Sequence, residues 1–169
     1  MLNRVIYYLQ KSIFSSSRTL GIIGAGLLPV LVLLTTVDVV SRRLLNSPIP
    51  GAFELTGFIL GITVFFTLAY CAAEGGHVEV DILMSRFPQK IQKSIASVMY
   101  LFSTVLLGLL SWQLFLLAIR VKDMNETSAI LAIWLFPFIF IAAIGATLLT
   151  LVFLVMSLNN LSGVLNKLA

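Results

Sequence analysis

The chain has 169 residues, 59% hydrophobic and 11% charged, with a mean hydropathy of +1.06; soluble domains carry roughly 25% charged residues, so no water-soluble fold hides this much apolar surface. The formal charge of +4 rests on 11 lysines and arginines that never cluster beyond the pair Arg42-Arg43, which excludes a nucleic-acid binder. One cysteine, Cys71, and one histidine, His77, exclude a disulfide framework, a Cys/His zinc cluster and a bis-histidine haem.

Lipid offers no hydrogen-bond partner to bare backbone, so a crossing chain forms helices or a closed barrel, and each helix needs about 20 apolar residues. No stretch alternates polar and apolar residues strictly, which argues against a barrel. Uncharged gaps locate the helices: 19 residues between Arg18 and Asp38, 19 between Glu54 and Glu74, 26 between Lys93 and Arg120, and 40 between Glu126 and Lys167. The expected fold is therefore an all-α integral membrane domain over 1–169 with four transmembrane helices.

In chain order, Leu2, Val5, Ile6, Leu9 and Ile13 recur at helical spacing against Arg4, Gln10 and Lys11. This predicts an amphipathic interfacial helix over about 2–14, with a short solvated tail as the alternative. A full-length span follows in place of a short apolar core and cleavage site, so the N-terminus reads as retained.

The first span is expected over 19–41. Asp38 lies near its end with Arg42 four residues on, placing the two on one helix face; a structural ion pair and a role in an ion path both stand as readings. Arg43 adds a second cation where the helix dipole favours one. Pro48-Ile49-Pro50-Gly51 then leads into a second span over 55–73. Glu54 at its start suits the dipole, and a contact across the turn to Arg42 or Arg43 would pin helix 1 to helix 2. Gly57 and Gly61 form a GxxxG spacing that lets helices approach closely.

The most polar stretch, Glu74 to Asp81, follows. His77 among acids reads as a proton shuttle or ligand, or as part of an interfacial hydrogen-bonding cluster with Asp81. Val80, Leu83, Met84 and Phe87 against Asp81 and Arg86 predict a second interfacial helix over about 79–88. The third span is expected over 95–119. The last gap would reach about 60 Å as one helix, twice a hydrocarbon core. The polar stretch from Glu126 to Ala132 is therefore read as a connection, and the fourth span is placed over 133–158, with Pro137 in its first turns and Asn159-Asn160 closing it.

The N-terminal segment, middle loop and C-terminus hold 3, 3 and 1 lysines and arginines against 2 and 2 in the other two loops, which puts both termini on the cytoplasmic side. Tyr70 at the inner end of helix 2, and Trp112 and Trp134 near outer ends, agree with aromatic belts. No Ser/His/Asp arrangement, phosphate-cradling loop or paired intramembrane carboxylates appears, so no enzyme is expected.

Asp38 with Arg42-Arg43, Pro48-Ile49-Pro50-Gly51 with Glu54-Leu55, His77-Val78-Glu79-Val80-Asp81-Ile82-Leu83 with Arg86-Phe87-Pro88, and Ile133-Trp134 with Pro137 together resemble the small membrane subunit of tripartite ATP-independent periplasmic (TRAP) transporters, the DctQ-like family. The resemblance covers most of the chain. It implies a sodium-driven importer of organic acids such as sialic acid or C4-dicarboxylates in the bacterial inner membrane. In it a periplasmic substrate-binding protein captures the substrate, a large multi-span membrane subunit carries it, and the small subunit braces the large one within the membrane lipids. No cofactor is implied on this chain, with sodium ions expected on the partner subunit. Asp38, Arg42, Arg43, Glu54, Gly57, Gly61, His77, Asp81 and Trp134 become structural or subunit-interface candidates. The competing readings are a free-standing four-helix membrane transporter, for which no inverted repeat is visible, and a cofactor-binding membrane protein, for which ligands are lacking.

Overall fold

A computed structural model describes residues 2–74 and 89–165, with side chains described over 12–74 and 95–158. Four helices follow one another: α1 Leu2–Leu44, α2 Ala52–Ala73, α3 Gln89–Asp123 and α4 Phe136–Leu165. Each contains a segment long and apolar enough to cross a membrane: Ser12–Leu44, Ala52–Ala73, Ile95–Asp123 and Phe136–Leu158. The all-α membrane architecture with four spans is thus present. The expected helix over 79–88, with His77 and Asp81, lies outside the described residues.

The N-terminal stretch does not form a separate helix. Its backbone continues without a break into the first span, giving a helix of 43 residues, which at 1.5 Å per residue extends roughly 64 Å. The physical reason lies at Ser15-Ser16-Ser17: the junction holds neither glycine nor proline, and hydroxyls on this helix bond back into the preceding turn, as Thr19 Oγ1 does to the Ser15 carbonyl at 3.1 Å. A polar junction therefore does not need to leave the helix. Pro29 sits inside α1, where it removes one N–H from the ladder.

The fourth helix starts three residues later than the expected Ile133 and ends beyond Asn159-Asn160, at Leu165. Ile133 to Leu135 belong instead to a tight return of the α3–α4 connection. Ser128 N–H donates to the Ile133 carbonyl at 2.8 Å and Leu135 N–H to the Glu126 carbonyl at 3.3 Å, with an antiparallel bridge between Thr127 and Trp134. Asn125 and Ala132, both at positive φ, turn the chain at either end of this return. Pro137 becomes the second helical residue, where its missing N–H has no partner to lose. The asparagines fail to stop α4 because asparagine costs a helix interior less than about 1 kcal/mol.

The helices form an open row in the order α3, α4, α2, α1, with a lesser contact from α1 back to α4. The most apolar window of α4 is 44% buried, against 11% for those of α1 and α3. Between lipid-solvated helices the hydrophobic effect supplies no attraction, so close fit decides who touches whom. Ala142, Ala143 and Ala146 of α4 are buried, and at Gly145 an added Cβ would stand 2.9 Å from Phe65 on α2. Gly21 lies against Tyr70, and Gly24 would meet Phe66 at 3.1 Å, so these two let α1 settle on α2. The buried centre gathers Ala69, Ala72, Leu149, Val152 and Phe153. Between α3 and α4, Thr147 Oγ1 donates to the Ala143 carbonyl at 2.8 Å, which leaves its lone pairs to accept from Ser111 Oγ, also at 2.8 Å.

Candidate functional site

The chemistry-bearing residues gather at the end of the row that carries the two short connections, 45–51 and 124–135. Asp38, six residues before the end of α1, accepts from Arg42 Nη2 at 2.7 Å through Oδ2 and from the Ile49 N–H at 3.0 Å through Oδ1. Its side chain is 13% exposed, against 63% for Arg42. The carboxylate therefore ties the returning loop to α1, and the arginine covers its open side. Ser41 Oγ adds a second tie by donating to the Ser47 carbonyl at 2.7 Å. Arg43 is exposed and makes no ion pair among the described residues.

Glu54 does not meet Arg42 or Arg43. Its Oε1 accepts from the Ile130 N–H at 3.0 Å and its Oε2 from the Leu131 N–H at 3.1 Å. The Ser128 hydroxyl and the Ala129 N–H also face it. Position explains the correction: Glu54 lies in the first turn of α2, where the dipole favours an anion, and backbone donors from the other loop reach it in a fixed fork. Arg42 is meanwhile held by Asp38 on its own helix. The contact that pins elements together therefore joins α2 to the α3–α4 loop, not α1 to α2.

Gly51 completes this clamp. It precedes α2 with φ of 78°, a conformation that glycine adopts freely, and any Cβ there would run into the side chain of Leu131. The same loop that gives its N–H groups to Glu54 thus also drops Leu131 onto the turn before α2.

Among the described residues Gly57 and Gly61 bring no helix close: a Cβ at either would meet nothing within 4 Å. They lie on an open side of α2 that also presents Phe53, 87% exposed, with Leu60 and Val64. The glycines that pack are Gly21, Gly24 and Gly145. A signal for Gly24 is present in the sequence, since Ser17, Gly24, Leu31 and Asp38 recur every seven residues on the α1 face turned inward.

Trp134 is 65% exposed. With Val121, Lys122, Asp123, Asn125, Glu126 and Phe136 it lines a cleft of about 430 Å³ at the junction of α3, the connection and α4. Lys122 Nζ stands 5.5 Å from the Phe136 ring centroid. Sequence reasoning missed this cleft, because the turn at Asn125 and the return at Ala132 that shape it are not periodic features.

Among the described residues no group of three or more His, Cys, Asp or Glu side chains is arranged to hold a metal. The two clamp carboxylates, Asp38 and Glu54, have their oxygens committed to backbone N–H groups and one guanidinium. Such an arrangement fixes loops; it does not place a nucleophile beside a base.

No curated protein matches the chain. Residues 31–163 match the family described as tripartite ATP-independent periplasmic transporters, DctQ component. The matched region contains both clamps, the cleft and α2 to α4 almost entire. With well over half its length inside that match, the chain belongs to the DctQ family, the small membrane component of TRAP transporters.

Proposed function

We propose that this chain is a non-catalytic scaffold that braces the large multi-span subunit of a sodium-driven importer of organic acids, such as sialic acid or C4-dicarboxylates. The observation that carries the reading is the open row: few residues of the α1 and α3 spans are buried, and α2 keeps an unfilled strip at Phe53, Gly57, Leu60, Gly61 and Val64. A self-sufficient carrier encloses its path, whereas a brace presents faces. The large subunit packs on the α2 strip, where the two glycines admit a close-running helix. Sodium and substrate are handled by that partner and by the periplasmic binding protein, and this chain holds no cofactor. It resides in the bacterial inner membrane with both termini cytoplasmic, as the excess of lysine and arginine on that side supports.

The test is recovery of the tagged chain from its native membrane in mild detergent. A much larger multi-span protein at near one-to-one ratio is the expected companion. Gly57→Leu should sharply reduce that recovery while leaving the helicity and thermal stability of the isolated chain unchanged, since the space beside it is open. Recovery of the chain alone, or as a self-oligomer, would overturn the proposal.

A further inference from the structure

The cleft between α3 and α4 plays no part in either clamp. Its chemistry is mixed: one ammonium, on Lys122, and two carboxylates, on Asp123 and Glu126, all exposed, beside the rings of Trp134 and Phe136. Among the described residues none of these three charges forms an ion pair, although they line one 430 Å³ space. The charges therefore remain available, and their sum across the cleft is negative. A net anionic ligand is disfavoured there, while a ligand carrying both signs satisfies all three.

Position selects the kind of ligand. The span Ile95–Asp123 ends at the cleft and the span Phe136–Leu158 begins there, so the cleft sits at the depth where apolar helix gives way to polar chain. Exposed tryptophan at that depth belongs to the headgroup zone. From the floor of the cleft an aromatic track continues toward the membrane interior: Phe136 to Phe140 with centroids 5.6 Å apart, then Phe140 to Phe115 of α3 at 5.8 Å. A headgroup in the cleft would thus lead an acyl chain onto the α3–α4 seam.

We infer that this cleft binds an aminophospholipid of the phosphatidylethanolamine type, with Lys122 on the phosphate and Asp123 and Glu126 on the primary ammonium. Ammonium to carboxylate and ammonium to phosphate contacts are charge-assisted, and the Lys122 amine is already steadied over Phe136. Phosphatidylglycerol lacks the cation. Phosphatidylcholine has one without N–H donors, so it cannot hydrogen-bond the carboxylates.

The experiment is native mass spectrometry of the full chain in detergent, offered equal amounts of phosphatidylethanolamine, phosphatidylcholine and phosphatidylglycerol with identical acyl chains. Phosphatidylethanolamine should be retained several-fold over the other two. Lys122→Ala should lower its retention about fivefold, as expected for one charge-assisted contact. Asp123→Asn with Glu126→Gln should abolish its advantage over phosphatidylglycerol. Equal retention of the three lipids, or retention unaffected by the variants, would overturn the inference. Displacement of the lipid by an equal concentration of soluble glycerophosphoethanolamine would overturn the assignment to a lipid.

A second measurement does not depend on the charge variants folding. The chain has two tryptophans, so Trp112→Phe isolates Trp134. Phosphatidylethanolamine brominated on its acyl chain should then quench Trp134 fluorescence more strongly than the brominated choline lipid, and equal quenching would count against the site.

Discussion

The two short connections at the same end of the row are held by one carboxylate each, yet in different ways. Asp38 closes the loop that follows its own helix: its arginine is four residues away and its backbone donor eleven. Glu54 closes the other loop, taking N–H groups 76 and 77 residues further along the chain. The first is local bookkeeping of a helix end; the second fastens one helical hairpin to the other. A residue of the same charge, at the same end of the molecule, therefore has a local or a global task according to how far its donors lie in sequence.

Substitutions at this end separate the two tasks. The largest effect is expected from Gly51→Ala, which forces a side chain into the left-handed region at about 1–2 kcal/mol and adds a collision with Leu131. The apparent Tm in detergent should fall markedly, and a fall no greater than that of an exposed control outside both clamps, such as Arg43→Lys, would contradict the clamp geometry. Glu54→Ala comes next: amide exchange at Ile130 and Leu131 should accelerate roughly tenfold, as for a locally opened loop, while Ile49 stays protected. Equal acceleration at all three amides would mean that the connections are not held independently.

Asp38→Ala should show the reverse pattern, with Ile49 exposed and Ile130 unchanged, at a cost of about 1 kcal/mol for the lost hydrogen bond. Smallest is Arg42→Ala, expected to cost no more than about 0.5 kcal/mol because a largely exposed pair at i,i+4 spacing is screened by water. A loss as large as that of Asp38→Ala would make the guanidinium, not the Ile49 N–H, the main partner of the carboxylate. Thermal melts of the two variants side by side decide this.

Much of this difference in range explains what the sequence discloses. The four spans are legible because desolvation of charge is a one-dimensional rule: a gap free of Asp, Glu, Lys and Arg is a span. Asp38 and Arg42 are legible because helical periodicity places i and i+4 together. Glu54 is recognisable as a residue at a helix start, but its donors are not, since they depend on where the α3–α4 loop returns in space. Gly57 and Gly61 have the spacing of packing glycines and pack on nothing among the described residues, while Gly145, in no such motif, meets Phe65 and Phe66 closely. Spacing on one helix says that an approach is permitted; the partner's side chains decide whether it occurs. The end of the fourth helix misled for a related reason: the asparagines at 159–160 are polar, but polarity alone does not break a hydrogen-bond ladder.

The long reach of the Glu54 clamp also bears on biogenesis. Synthesis runs from the N-terminus, so α1 and α2 are made before residues 128–131, and until then the carboxylate lacks the Ile130 and Leu131 N–H groups that hold it in the finished fold. The clamp can close only when the second hairpin lies beside the first. A chain truncated before Ile130 would leave that carboxylate without these donors and the Gly51 turn without Leu131 at the same time.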